Sequence, residues 1–323
     1  MTVAPTPLNN AYHRSSFNRE KIMVVKSLKK ALTFEGQLDH LIIDKGLRVD
    51  NKDNALEVLK RENYYRLSGY WINYIDENDK FYSYMTFEKM YSNYKFDKFL
   101  RGILIEVIND VEVYFKTRFA NYHALVYGSD GYLKKENFRN NVQSKHNNLI
   151  MKLEDIKNNN PSNLIIKHHN MQYGGTLPLW VAVELLSFGN ISKMFSMLKN
   201  TDKNKLTKTA YKHISYVYVE SFYHAIAYFR NQCCHFHRLY DVKHTIRTNN
   251  FVTPFYNPQG ENSSTFYFIY ILMLMNPNHD LGERLIFELL FKFKKTKVDK
   301  TKYGFPYDWK SILRQANGYC VSA

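Results

Sequence analysis

Leu100, Leu104, Ile108, Val111, Phe115 and Phe119 step through the sequence by three or four residues. Only an α-helix brings such positions onto one face, so the spacing predicts a single long helix from Asp97 to about Val126. Tyr127-Gly128-Ser129-Asp130-Gly131 ends it. The 323 residues include only 13 Gly and 8 Pro. So few turn formers, between long uninterrupted segments, favour helices over a many-stranded β fold. The expected class is all-α.

The rest of the chain fits that class. Leu38, Leu41 and Ile42 after Phe34, then Leu56 and Leu59, suggest two short helices; a turn at 46–50 joins them, and Asp50 or Asn51 caps the second. The aromatic stretch from Tyr64 to Tyr84 is broken by Asp76-Glu77-Asn78-Asp79, which suggests one short β-hairpin. A polar helix follows near 141–158. Pro178 opens another through Leu186, and Gly189 separates it from a further helix ending near Leu198. Residues 213–240 read as helical throughout, 248–262 as irregular, and 263–275 and 279–295 as two last helices. This gives a flexible tail at 1–17, a small helical N-terminal extension at 18–85, a main helical domain at 86–311 and a C-terminal tail at 312–323.

Lys and Arg number 45 against 30 Asp and Glu, a formal charge of +15. That excess implies an anionic partner, either nucleic acid or an anionic membrane surface. The longest apolar run, Phe266 to Met275, is about half of what a membrane-spanning helix needs. No N-terminal leader pattern is present, so the expectation is a soluble, cytoplasmic chain without a membrane partner. Cys233, Cys234 and Cys320 lack framework spacing, which fits a reducing compartment.

The segment richest in chemistry runs from Tyr228 to Tyr240. Treated as helix, it places Phe222, Ala225, Phe229, Cys233, Phe236 and Tyr240 on a buried stripe. The opposite arc, about 160° wide, gathers Arg230, Asn231, His235, His237 and Arg238. His224 lies three turns before His235 on nearly the same meridian. Arginine presents a fixed fork of donors to phosphate oxygens, and histidine exchanges protons near neutral pH. RNA carries its own nucleophile, the 2′-OH, so such a face could cut it without a metal or cofactor. A polar outer face is also ordinary, and a solvated or RNA-docking surface stands beside catalysis. A zinc pair at Cys233 and His237 is a further reading, with no second cluster to complete it.

Arg230-Asn231-x-Cys233-Cys234-His235 followed by Arg238-Leu239-Tyr240 resembles the Arg-x4-His signature of HEPN ribonucleases, and more closely the Abi-like (abortive infection, AbiD/AbiF-type) family of phage-defence proteins. Four further blocks are similar to that family in order: Tyr64-Tyr65-Arg66-Leu67-Ser68-Gly69-Tyr70; Phe96-Asp97-x-x-Leu100-Arg101 with Glu112; Leu177-Pro178-Leu179-Trp180 with Ser187-Phe188-Gly189; and Gly304-Phe305-Pro306 with Trp309. Cys234 departs from the usual small Ala or Gly. The resemblance implies a HEPN-type helical bundle and a metal-independent endoribonuclease of phage defence, with Arg230, Asn231 and His235 catalytic. His237, Arg238 and Glu112 are candidate accessory groups. With one motif per chain it implies a homodimer, and some relatives are thought to pair with a small noncoding RNA.

Lys292, Lys294, Lys295 and Lys297, with Lys300 and Lys302, form a basic run; Lys203, Lys205, Lys208 and Lys212 form another, and Lys26, Lys29 and Lys30 a third. An RNA-backbone role is expected for at least one. Tyr65, Arg66 and Tyr70 could touch RNA, with packing of the N-terminal segment the favoured role. Glu112 either orients Arg230 or His235 or pairs with Lys116. Trp180 and Trp309 read as core. The rival functions are an RNA-binding module without turnover, or a purely structural interaction protein.

Overall fold

The structure is a computed structural model that describes Leu28 and residues 30–322; the tail expected at 1–17, and Lys26 and Lys29, lie outside the described residues. Among the described residues there are thirteen α-helices and no sheet, as the sequence predicts for an all-α bundle. They are α1 Phe34–Asp39 (continued by a π-helical turn, His40–Asp44), α2 Lys52–Arg61, α3 Tyr64–Ser68, α4 Phe87–Tyr127, α5 Gln143–Asn159, α6 Leu164–Tyr173 and α7 Leu179–Leu185. The chain continues through α8 Phe188–Met197, α9 Asn200–Ala210, α10 Tyr216–Cys234, α11 Thr265–Leu274, α12 His279–Thr296 and α13 Trp309–Ala316.

α4 is the central column, packed against α3, α7, α8, α9, α10, α11 and α12. All six residues of its predicted stripe are wholly buried. The helix begins about ten residues earlier than the stripe suggests. Thr86 caps it by accepting the Lys89 N–H at 3.2 Å. The buried face continues back through Phe96, Tyr94, Met90 and Phe87, but the polar Asn93, Asp97 and Arg101 share it and interrupt the apolar pattern without ending the helix. Every residue of α11 is buried, as expected of a helix that is apolar all round. Among the described residues no helix is long and apolar enough to cross a membrane.

Several expectations are corrected. The hairpin over Tyr64–Tyr84 is not formed: α3 and a 3₁₀ turn at Ile72–Tyr74 fill its first half. What remains is one antiparallel bridge, Ile75 with Phe81, closed by Asp76, whose side chain accepts the Asn78 and Lys80 N–H groups. Gly189 lies inside α8; the break falls at Ser187, whose hydroxyl accepts the Asn190 N–H. The helix expected over 213–240 stops at Cys234, while α6, α9 and α13 were not anticipated. Residues after 311 are no tail: Ile312, Leu313, Ala316 and Cys320 are buried. Trp309 is core, but Trp180 is 55% exposed.

Two buried histidines make the fold sensitive to acid. Both ring nitrogens of His123 and Nδ1 of His244 lack partners, and burial pushes each imidazole down to about 4. An unfolded histidine titrates near 6.5, so between about pH 6.5 and 4 the unfolded chain binds more protons. The neutral-ring stability is therefore complete above that window and is lost as pH falls through it. From pH 7 to pH 5, unfolding free energy should drop by about 2 kcal/mol per histidine. Urea unfolding at the two pH values checks this, and His123→Phe should remove roughly half of the difference. An unchanged difference in that variant would clear His123 of the effect.

Candidate active site

α10 is anchored by Val219, Phe222, Ala225, Ile226, Phe229 and Cys233, all buried among α4, α8, α9 and α11. Its end is set by a paired carbonyl motif. The His237 N–H donates to the Gln232 carbonyl at 2.9 Å and the Phe236 N–H to the Cys233 carbonyl at 3.3 Å. This closure requires a left-handed residue after the cap, a place glycine usually fills. Here Phe236 fills it, with φ of 58°. The Phe236 carbonyl accepts from Arg66 at 3.0 Å, and the Arg66 guanidinium sits 5.6 Å from the Phe236 ring centre. Phe236 thus leaves the buried stripe and its ring is exposed.

Beyond that turn the chain is clamped to α4. The Asp97 carboxylate, buried to zero exposure, accepts four hydrogen bonds: Tyr70 hydroxyl at 2.7 Å, Leu239 N–H at 2.8 Å, Arg101 at 3.0 Å and Tyr303 hydroxyl at 3.0 Å. Burial pushes the carboxyl's pKa up, and the Leu239, Tyr70, Arg101 and Tyr303 partners pull against it. Arg101 also donates to the His237 carbonyl at 3.1 Å, and Arg238 donates to the Gly69 carbonyl. Tyr70 and Arg66 therefore pack the N-terminal segment onto the bundle, while Tyr65 stays exposed.

Arg230, Asn231 and His235 are brought together on the last turn and cap of α10. Arg230 is half-buried and donates to the Asn231 side-chain oxygen at 3.3 Å; Asn231 and His235 are exposed. His237 and Arg238 do not share that helical face, because the chain turns off at Phe236. The same turn removes the i,i+4 geometry behind the zinc pair, and burial pushes the Cys233 thiol up, against thiolate ligation. Glu112 lies 2.8 Å from Lys116. Lys205 and Lys208 are exposed on α9, but Lys203 is buried and paired with Glu220 at 2.6 Å. Lys294, Lys295 and Lys297 are exposed at the end of α12, and Lys292 lies 4.8 Å from the Phe99 ring centre.

The family described as Abi-like protein matches residues 57–241, more than half of the chain. The chain belongs to the Abi-like family. Membership connects it to abortive infection, a form of phage defence. In this Abi-like protein the matched span holds Arg66, Tyr70, Asp97 and Arg101 as well as the whole of α10 and the loop to Asp241. The clamp and the polar helix end thus lie within one matched unit, to which Tyr303 is added from outside it. No curated protein and no solved structure matches the chain. Sequence reasoning missed the role of Asp97 and Arg101, although both stand in a block that resembles the family; their helical spacing of four was the available signal.

Proposed function

We propose that this protein is a metal-independent endoribonuclease of phage defence, working at the exposed end of α10. One observation carries the reading. Half-buried Arg230 and exposed Asn231 and His235 stand together on the last turn and cap of α10, while the loop directly after them is tied to α4 through Asp97 and Arg101. A preorganised positive and proton-exchanging group is what phosphodiester transfer requires.

In the proposed step the 2′-OH attacks phosphorus and gives its proton to one imidazole. The bond from phosphorus to the 5′-oxygen breaks, and a second imidazole protonates that oxygen. Arg230 neutralises the charge on the phosphorane oxygens. One chain supplies a single histidine on this turn, so two copies meeting about a two-fold axis complete the set as a homodimer. The exposed Lys205 and Lys208 of α9, the half-buried Lys292 of α12, and the exposed Lys294, Lys295 and Lys297 at its end are candidate contacts to the RNA backbone.

Purified protein and end-labelled RNA in excess chelator test this. Products ending in 2′,3′-cyclic phosphate and 5′-hydroxyl are expected, with an all-2′-deoxy strand left whole. Equal cutting of the deoxy strand would refute the 2′-OH step. RNA that is bound but never cut would favour the module that holds RNA without turnover.

A further inference from the structure

Three concavities on one flank share their walls. The first, about 510 Å³, lies along α5 and includes Asn148, Lys152 and Asp155. The second, about 360 Å³, lies between α5 and α8 and adds Lys145, Asn190 and Lys193 to Asn148 and Lys152. The third, about 460 Å³, lies between α8 and α10; it shares Lys193 and Ser196 with the second and reaches Glu220 and His224. Together they make one groove from α5 across α8 to the outer face of α10.

The middle of this groove is lined by three exposed lysines and no carboxylate. Lys145, Lys152 and Lys193 form no ion pair among the described residues, although Lys134, Lys157 and Lys203 nearby in sequence do. Asn190 adds a second kind of signal. It is 6% exposed, and its side-chain amide donor has no partner. An orphaned buried donor beside unpaired cations is costly unless something accepts from it. Asp155 stands at the far end, and Glu220 at the near end is already neutralised by Lys203.

The groove also points somewhere. His224 stands where it opens on α10. At 3.6 residues per turn, Asn231 and His235 fall within about 20° on either side of the His224 meridian, and His235 is roughly 16 Å further along the axis. A strand lying in the groove is thereby delivered to the exposed helix end.

We infer that this groove is the track for the RNA backbone, with Lys145, Lys152 and Lys193 neutralising its phosphates and Asn190 turning its sealed amide into the groove to donate to a phosphate or sugar oxygen. The inference rests on the reading of the protein as one that acts on RNA, and deepens it by placing the substrate. These lysines are scattered over α5 and α8, so no basic run in the sequence announces them.

The test is binding of a fully 2′-O-methylated, uncleavable single strand by the complete protein, measured by fluorescence anisotropy at several salt concentrations. For single strands, each phosphate neutralised contributes about 0.7 to the slope of log affinity against log salt. The combined variant Lys145→Gln, Lys152→Gln and Lys193→Gln should flatten that slope by about 2 and weaken binding about tenfold or more at low salt. Arginine at the same three positions should restore the slope. An unchanged slope in the glutamine variant overturns the groove, even if natural RNA is still cut. A flattened slope with no cutting of natural RNA by the wild type keeps the groove and removes the nuclease reading.

Discussion

Asp97→Ala protein should unfold about 3–5 kcal/mol more easily than the wild type, the range for removing one partner of a buried ion pair. The reason is what the carboxylate leaves behind. Arg101, at 4% exposure, loses its counter-charge, and the Leu239 N–H and the Tyr70 and Tyr303 hydroxyls lose their acceptor. None of these donors can turn to water, because Tyr70, Leu239 and Tyr303 are all buried. Urea unfolding measures the loss. Hydrogen exchange at the Leu239 amide should rise well beyond what global unfolding explains, since that N–H is tied directly to Asp97. Asp97→Asn keeps the shape and one acceptor oxygen, so its loss should be smaller. If Asp97→Ala unfolds at the wild-type urea concentration, the clamp does not hold the loop.

The clamp shows where sequence patterning stops. Apolar positions from Leu100 to Phe119 were readable because burial and hydrophobicity coincide there. Asn93, Asp97 and Arg101 share the buried face with Phe87, Met90, Tyr94 and Phe96, and these polar interruptions hid about the first ten residues of the helix. The end of α10 was hidden for a different reason. Chain stops are read from glycine, whereas here phenylalanine adopts the left-handed conformation, held by Arg66 from 170 residues away. As a result the predicted helix ran on to Tyr240, and His237 and Arg238 were placed on a face they do not share. That Arg230, Asn231 and His235 lie together was legible because they fall at one helix end, where sequence spacing fixes spatial order. Lys145, Lys152 and Lys193 meet only through the packing of α5 on α8, which no local pattern reports.

His235→Ala and Arg230→Ala should each lower RNA cleavage by two to four orders of magnitude, the range for removing an acid–base or charge-stabilising group. Both side chains lie at the open end of α10 and outside the clamp, so folding stability should stay close to wild type. If two copies share the site, Arg230→Ala chains in excess should suppress wild-type activity beyond dilution. Activity that follows only the wild-type concentration, from a monomer in solution, rules out the shared site. The most direct measurement is single-turnover cleavage of one labelled RNA by wild-type and His235→Ala protein, both in excess chelator. The account predicts rapid cutting by the wild type and a rate at least about a hundredfold lower in the variant. Equal rates in the two proteins would contradict it.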